Sequence, residues 1–250
     1  MSKKVTQKKA RPRPAKRRRA SKKRKKSVAR EYAEVILVAV GLALLIRTFV
    51  VQAFRIPSAS MEDTLLVGDF LLANKFIYGA RVPFTDYRLP ALREPKPGDV
   101  IIFEYPLNTS RDFVKRCVAG PKQTVEIQNK ILYVDGKRAI DPIRSKYTDP
   151  KILPVKSPNG RRDNFGPVVV PEGHFFVMGD NRDNSEDSRY WSFLSYKLIK
   201  GQAFILYLSW APDAGAPEYT GLLSLPKILL YNLRHFSQRV RWSRIGTLVK

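Results

Sequence analysis

One cysteine and two histidines are all that this 250-residue chain offers of the side chains that most often build disulfides, metal centres and catalytic triads. A lone Cys117 excludes an internal disulfide and any multi-cysteine metal site. Within "FVKRCVAG" it reads as a small core residue. His174 lies in the strand-like "PEGHFFVMGD" and His235 in a basic C-terminal segment, so a Ser-His-Asp triad is poorly supported. No acidic residue occurs among residues 1–30, which carry 16 Lys or Arg. That stretch is too polar and too uniformly charged to fold alone. Helix-period segments are scarce between residues 55 and 220, and no internal repeat is present.

A net charge of +24 would point to a nucleic-acid binder if it were spread evenly. It is not, because residues 31–250 hold 30 basic and 22 acidic residues. The surplus therefore belongs mostly to the tail. Two uses of the tail remain open: a topology signal that also binds anionic lipid, or a salt-sensitive contact with nucleic acid or ribosome. The lipid and topology use needs nothing further and is preferred, so no nucleic-acid partner is expected.

Val35 to Ile46 is uncharged, and the apolar character continues to Phe54 with Arg47 as its interruption. About 20 helical residues are needed to cross a hydrocarbon core of roughly 30 Å. The span must borrow from its flanks, with Arg47 able to snorkel to an interface. The expected organisation is a cytoplasmic basic tail at 1–30 and a transmembrane helix at 31–52. The positive-inside rule then puts everything beyond on the outer side.

From residue 55 the chain reads as short strands separated by Gly, Pro, Asn and Asp. "DVIIFEY", "DFVKRCVAG", "QTVEIQNKILYVDGK", "PVVVPEGHFFVMGD" and "GQAFILYLSW" are β-like, with a hairpin-type turn at Asp135-Gly136. The fold expected is mainly β: an antiparallel domain at 53–220 with a small inserted β lobe at about 122–170, preceded by the one N-terminal transmembrane helix. Residues 221–250 form a basic amphipathic segment, either lying on a membrane surface or packed against the domain.

The stretch "RIPSASMEDTLLVGDF" puts Ser58 and Ser60 just past the apolar segment. Pro-Ser-Ala-Ser is ordinary turn chemistry, and a nucleophilic serine needs a proton acceptor. Lysine can serve, provided burial makes it neutral at working pH. A fall in pKa from about 10.4 to near 8 costs roughly 3 kcal/mol, within reach of a folded core. "RDFVKRCVAG" supplies a lysine among apolar neighbours on a strand, with Lys115 and Arg116 pointing to opposite faces. "MGDNRDNSEDSRYW" adds dense charge of both signs directly after the apolar "HFFV". It reads either as a polar loop or as a paired network at a strand end.

Together these stretches resemble bacterial type I signal peptidases, the membrane-bound Ser/Lys endopeptidases. The family's serine motif is matched from Ser58 to Leu65, with Asp63 where the family has proline. "KPGDVIIFEYP", "DFVKR" and "GDNRDNSEDSR" resemble its next three blocks, and "RWSRIG" its usual C-terminal ending. The likeness covers about residues 32–211 and 240–247. It implies Ser60 as nucleophile, Lys115 as general base, Ser58 as an oxyanion donor and Ser185 as the serine that orients the lysine. It further implies an ion pair of Arg116 with Asp180, and structural support from Asp187 and Arg189. No metal or organic cofactor is implied. The implied partners are signal peptides of exported preproteins, membrane lipid and the export machinery. The implied location is a bacterial cytoplasmic (inner) membrane, single-pass, with the catalytic domain outside. Another Ser/Lys protease, or an inert membrane-anchored β module in which Ser60 is only a turn residue, would carry some of the same features.

Overall fold

The computed structural model describes residues 28–85 and 87–250, so most of the basic tail at 1–30 lies outside the described residues. The chain divides by its contacts into two units at Gly41–Leu42. Helix α1 runs Val28–Phe49 with no buried side chain, and it is long and apolar enough to cross a membrane. Glu31 sits in its first turn and Arg47 in its last, each the sign that a helix dipole favours at that end.

The second unit is mainly antiparallel β, as the strand pattern predicts. Among the described residues a seven-stranded sheet contains β1 (Val51–Arg55), β2 (Asp69–Asn74), β3 (Val100–Tyr105) and β4 (Asn108–Ala119). Four further strands, β5 (Thr124–Gln128), β6 (Ile131–Val134), β7 (Lys137–Arg138) and β8 (Phe165–Val169), form a separate sheet in the order β7-β6-β5-β8. The chain then returns to the large sheet as β9 (His174–Met178), β10 (Leu194–Ser195) and β11 (Ile199–Ser209), completing the order β1-β2-β11-β3-β4-β9-β10. The small sheet is thus inserted between β4 and β9. Its β6–β7 turn is at Asp135-Gly136, where both residues have positive φ (52° and 71°), the geometry that a tight hairpin selects. Asn129 and Lys130 make a second positive-φ turn, splitting the long strand-like "QTVEIQNKILYV" into β5 and β6.

Period-2 alternation explains the core. On β3, Val100 and Ile102 pack with Ile56, Met61 and Leu65, while Ile101 and Phe103 pack with Cys117, Phe175 and Val177. Both faces of this strand are covered, which is why its sequence is a continuous apolar run. Phe176 and Met178 of β9 join Val125, Ile127 and Leu132 under the small sheet.

The C-terminal segment holds a helix, α3 (Leu225–Arg234), which follows the one-turn α2 (Ser188–Trp191) in chain order. Pro226 falls in its first turn, where a missing N–H costs nothing. The helix is amphipathic in an unusual sense. Tyr231, Asn232, His235 and Arg239 are half-buried, with Tyr231 Oη donating to Asp213 at 2.7 Å and the Arg239 guanidinium 4.8 Å from the Trp210 ring. Leu222, Leu225, Leu229, Leu233 and Phe236 are exposed. Beyond it, Arg241 and Arg244 reach Asp69, and Leu248 pairs with Ile205 of β11. The last ten residues therefore do not continue the amphipathic helix. They lie beside the central sheet, because a fully buried Asp69 needs cationic partners.

Candidate active site

Strand β1 ends at Arg55, and the chain enters a single helical turn at Ala59–Met61 that carries Ser60. Ile56 before the turn, Met61 at its end and Leu65 after it are all buried in the core, so the turn that carries Ser60 is fixed by apolar packing. Lys115 lies midway along β4, opposite Ile101 of β3. Its side chain and that of Arg116 leave opposite faces of the strand, as expected.

Lys115 Nζ stands 2.6 Å from Ser60 Oγ. The lysine is only 3% exposed, and Nζ lies 5.3 Å from the Phe113 ring centroid. Burial lowers its pKa to about 8, a shift that Arg189 reinforces and the carboxylates of Asp187, Glu186 and Asp180 partly offset. An amine with that pKa, in contact with a hydroxyl, can exchange a proton with it close to neutral pH. Ser58 Oγ lies 3.4 Å from Ser60 Oγ, on the same side of the turn.

A cavity of about 480 Å³ opens at this pair. One wall is residues 54–61, the other residues 111–115, and Asn184 and Glu186 close a third side. Strand β1 is an edge of the large sheet, and β9 pairs with β4 only from Arg116 onward. The sheet therefore curls, so that an edge of β1 and the free part of β4 face each other across the cavity. Two facing strand edges can hold an extended chain by main-chain hydrogen bonds.

Behind the pair, Arg116 and Asp180 form a bidentate ion pair, with Nε to Oδ1 at 2.8 Å and Nη2 to Oδ2 at 2.6 Å. Thr64 Oγ1 donates to the same carboxylate at 2.6 Å. Asp187 takes the same two bonds from Arg189, both at 2.8 Å, and accepts the Gly179 N–H at 3.0 Å. Burial pushes the Asp187 carboxyl up, yet Arg189 and the Gly179 N–H outweigh it and hold the carboxyl below its ordinary range. Ser185 is not hydrogen-bonded to Lys115. Its Oγ is buried without a hydrogen-bond partner among the described residues. It lies over Gly179, where an added Cβ would meet Ser185 Oγ at 2.3 Å and the Ser60 carbonyl oxygen at 2.5 Å.

Several contributors carry no sequence signal of their own. Gly179 keeps the space between Ser60 and Ser185 open. Asn181 N–H donates to the Ser60 carbonyl at 3.1 Å, and its side-chain amide donates to Ala59 O at 3.2 Å. Glu186 accepts the Tyr105 hydroxyl at the cavity rim. Asp63 has φ of 73° and pairs with Lys146 at 3.3 Å, so its carboxylate turns away from Lys115. Neither histidine lines the cavity. Among the described residues no cluster of His, Cys, Asp or Glu could hold a metal.

Known proteins resemble this chain over most of its length. A family model described as "Signal peptidase, peptidase S26" matches residues 29–210. A signal peptidase I from Pseudomonas aeruginosa is 35% identical, over 79% of this chain and 78% of that protein. A signal peptidase I from Aquifex aeolicus is also 35% identical, over 87% of this chain and 97% of that protein. A crystal structure of a signal peptidase I from Enterococcus faecalis V583 is 27% identical, covering 44% of this chain and 97% of that one at a TM-score of 0.35. With most of its length matched and close to a third of its residues shared, the chain belongs to the signal peptidase family of peptidase S26.

Proposed function

We propose that this protein is a membrane-anchored serine endopeptidase that removes N-terminal signal peptides from exported preproteins, with Ser60 as nucleophile and Lys115 as general base. The observation that carries this reading is the 2.6 Å approach of a buried, pKa-lowered lysine to a serine that lines an open cavity. Family membership supports the substrate class.

In this reading the preprotein lies extended between residues 54–59 and 111–115, its register set by main-chain hydrogen bonds. An Ala-x-Ala preference before the cut follows from the family likeness. Neutral Lys115 takes the Ser60 hydroxyl proton as Oγ bonds to the scissile carbonyl carbon. The Ser60 N–H and the Ser58 hydroxyl hold the resulting oxyanion, each donor contributing about 3 kcal/mol. As the intermediate collapses, the C–N bond breaks and Lys115 gives its proton to the leaving amine. Water, deprotonated by Lys115, then attacks the acyl-serine, releasing a free carboxylate and restoring Ser60.

Ser185 would orient Lys115 by turning its unpartnered hydroxyl toward Nζ when the lysine is neutral. Arg116, Asp180, Asp187 and Arg189 hold the loop that carries Ser185. Helix α1 anchors the chain, with the basic tail on the cytoplasmic side and the sheets outside. The outward leucines of α3 add a contact with the lipid surface.

The test is cleavage, in detergent, of a preprotein carrying an Ala-x-Ala site. Wild type should make one cut after the second alanine, and Ser60→Ala and Lys115→Ala should make none. Retained cleavage by either variant would sink the assignment.

A further inference from the structure

The residue after Glu62 is an aspartate held at φ of 73°. Proline cannot adopt that backbone, since its ring fixes φ near −65°. The stiffness that a proline would give the turn behind Ser60 must therefore come from elsewhere in this chain. The contact found beside this turn is Lys146, which lies in the irregular part of the segment inserted between β4 and β9.

Lys146 Nζ reaches Glu62 Oε2 at 3.0 Å and Asp63 Oδ2 at 3.3 Å, so one cation bridges two successive carboxylates. Its backbone is tied as firmly. Lys146 N–H donates to Asp180 O at 2.9 Å, and Lys146 O accepts from the Arg182 N–H at 2.9 Å. These two bonds make a parallel bridge between Lys146 and Asn181. Asn181 in turn donates to Ser60 O, Ala59 O and Glu62 Oε2. Lys146 therefore meets the Ser60 turn twice, through its ammonium and through the backbone of Asn181. The neighbouring chain is anchored too, because Arg182 pairs with Asp141 at 2.6 Å and the Asp149 N–H donates to Asp183 at 2.8 Å.

We propose that Lys146 is a positioning residue for Ser60, an ionic clasp through which the inserted segment holds the serine turn in register with Lys115. The proposal rests on the assignment of Ser60 as nucleophile. Glu62, Asp63 and the bridging cation replace a covalent constraint with an electrostatic one. The partners are partly exposed, so the clasp weakens as salt is raised. Its loss lets the turn sample positions in which Oγ leaves Nζ. Substrate contacts on residues 54–57 are untouched, so turnover suffers and binding does not.

The experiment uses the full-length protein in detergent with an Ala-x-Ala preprotein at 50 mM and 500 mM NaCl. Lys146→Gln should lower kcat about fivefold at low salt, the equivalent of ~1 kcal/mol, with KM and the apparent pKa of the acid limb unchanged. Lys146→Arg should keep wild-type turnover. The double variant Glu62→Gln/Asp63→Asn should show the same loss as Lys146→Gln, and combining all three should cost nothing more. The wild-type advantage should shrink at high salt. Unchanged kcat in Lys146→Gln, additive losses, or a loss seen only in KM would overturn the clasp. Ser60→Ala run alongside separates the two ideas: if it is inactive while Lys146→Gln is not slowed, the clasp alone fails.

Discussion

Lys115 Nζ and Ser60 Oγ meet at 2.6 Å although 55 residues separate them in the chain. Their meeting depends on the curl of the large sheet, which brings the turn after β1 against the middle of β4. The lysine arrives stripped of water, and that desolvation sets its chemistry.

The first prediction concerns pH. Burial lowers the Lys115 pKa to about 8, so the lysine is mostly protonated below that value and neutral above it. With Lys115 as the proposed base, only the neutral form is active. The rate constant kcat/KM for preprotein cleavage should therefore rise with pH along an acid limb centred near 8 and level off above it. Opening the site to water through Phe113→Ala should move the limb upward toward the ordinary lysine range. A limb near 6.5 that is lost on replacing His174 would instead implicate a histidine.

The second concerns the buried pair behind the site. Asp180 is fully buried and Arg116 nearly so, and each satisfies the other. Removing one partner of such a pair leaves an uncompensated charge and costs about 3–5 kcal/mol. Arg116→Met should lower the thermal midpoint of the detergent-solubilised protein by several degrees. Arg116→Met with Asp180→Leu should cost less than the two single changes added together. A strictly additive double variant would mean that the two side chains act independently.

How much of this is legible in the sequence depends on the kind of residue. A mainly antiparallel β domain after one apolar helix is read from alternation and turn residues, and the sheets bear it out. Asp135-Gly136 announces its hairpin, since Gly and Asp tolerate positive φ, whereas Asn129-Lys130 hides one because lysine rarely does. Ser60, Lys115, Arg116, Asp180, Asp187 and Arg189 are brought to one place. Lys115 is legible from its apolar neighbours on a strand, whereas the roles of the others are read from the family resemblance. Lys146 gives no such signal, because it lies in the polar "RSKYTD". Asp69 stands in the apolar run "LLVGDFLLA", which hints at burial but not at its partners, since Arg244 is 175 residues away. Periodicity reveals the apolar stripe of α3 but not which way it faces. Tyr231, Asn232 and Arg239 decide that through bonds to Asp213, to each other and to Ala211.

Gly179 yields a third prediction. A methyl group there would lie 2.5 Å from the Ser60 carbonyl oxygen and 2.3 Å from Ser185 Oγ. The serine side chain can rotate away, but the Ser60 backbone can yield only by moving the turn. Gly179→Ala should thus reduce kcat by at least tenfold, because a displacement near 1 Å at reacting atoms costs on the order of 100-fold. Combining it with Ser185→Ala should not restore the rate, since the backbone clash remains. Restoration would show that crowding of the serine, and not the turn, was at fault.

The fourth prediction follows from the orientation of α3. Its half-buried face carries Tyr231, Asn232 and His235, while Leu225, Leu229 and Leu233 face outward with Phe236 beyond them. Exposed apolar area of this kind is costly in water, at about 25 cal/mol per Å², and is relieved where acyl chains can cover it. Exposed Lys227 and Arg234 flank the leucines and favour anionic headgroups. Full-length protein labelled with an environment-sensitive fluorophore at Leu229→Cys, with Cys117 buried and unreactive, should show a blue-shifted emission in vesicles containing phosphatidylglycerol. The shift should be smaller in purely zwitterionic vesicles, and smaller at Lys227→Cys than at Leu229→Cys. Equal emission at both positions in both vesicle types would show that the helix stands clear of the bilayer. The leucine face would then have to be covered by protein.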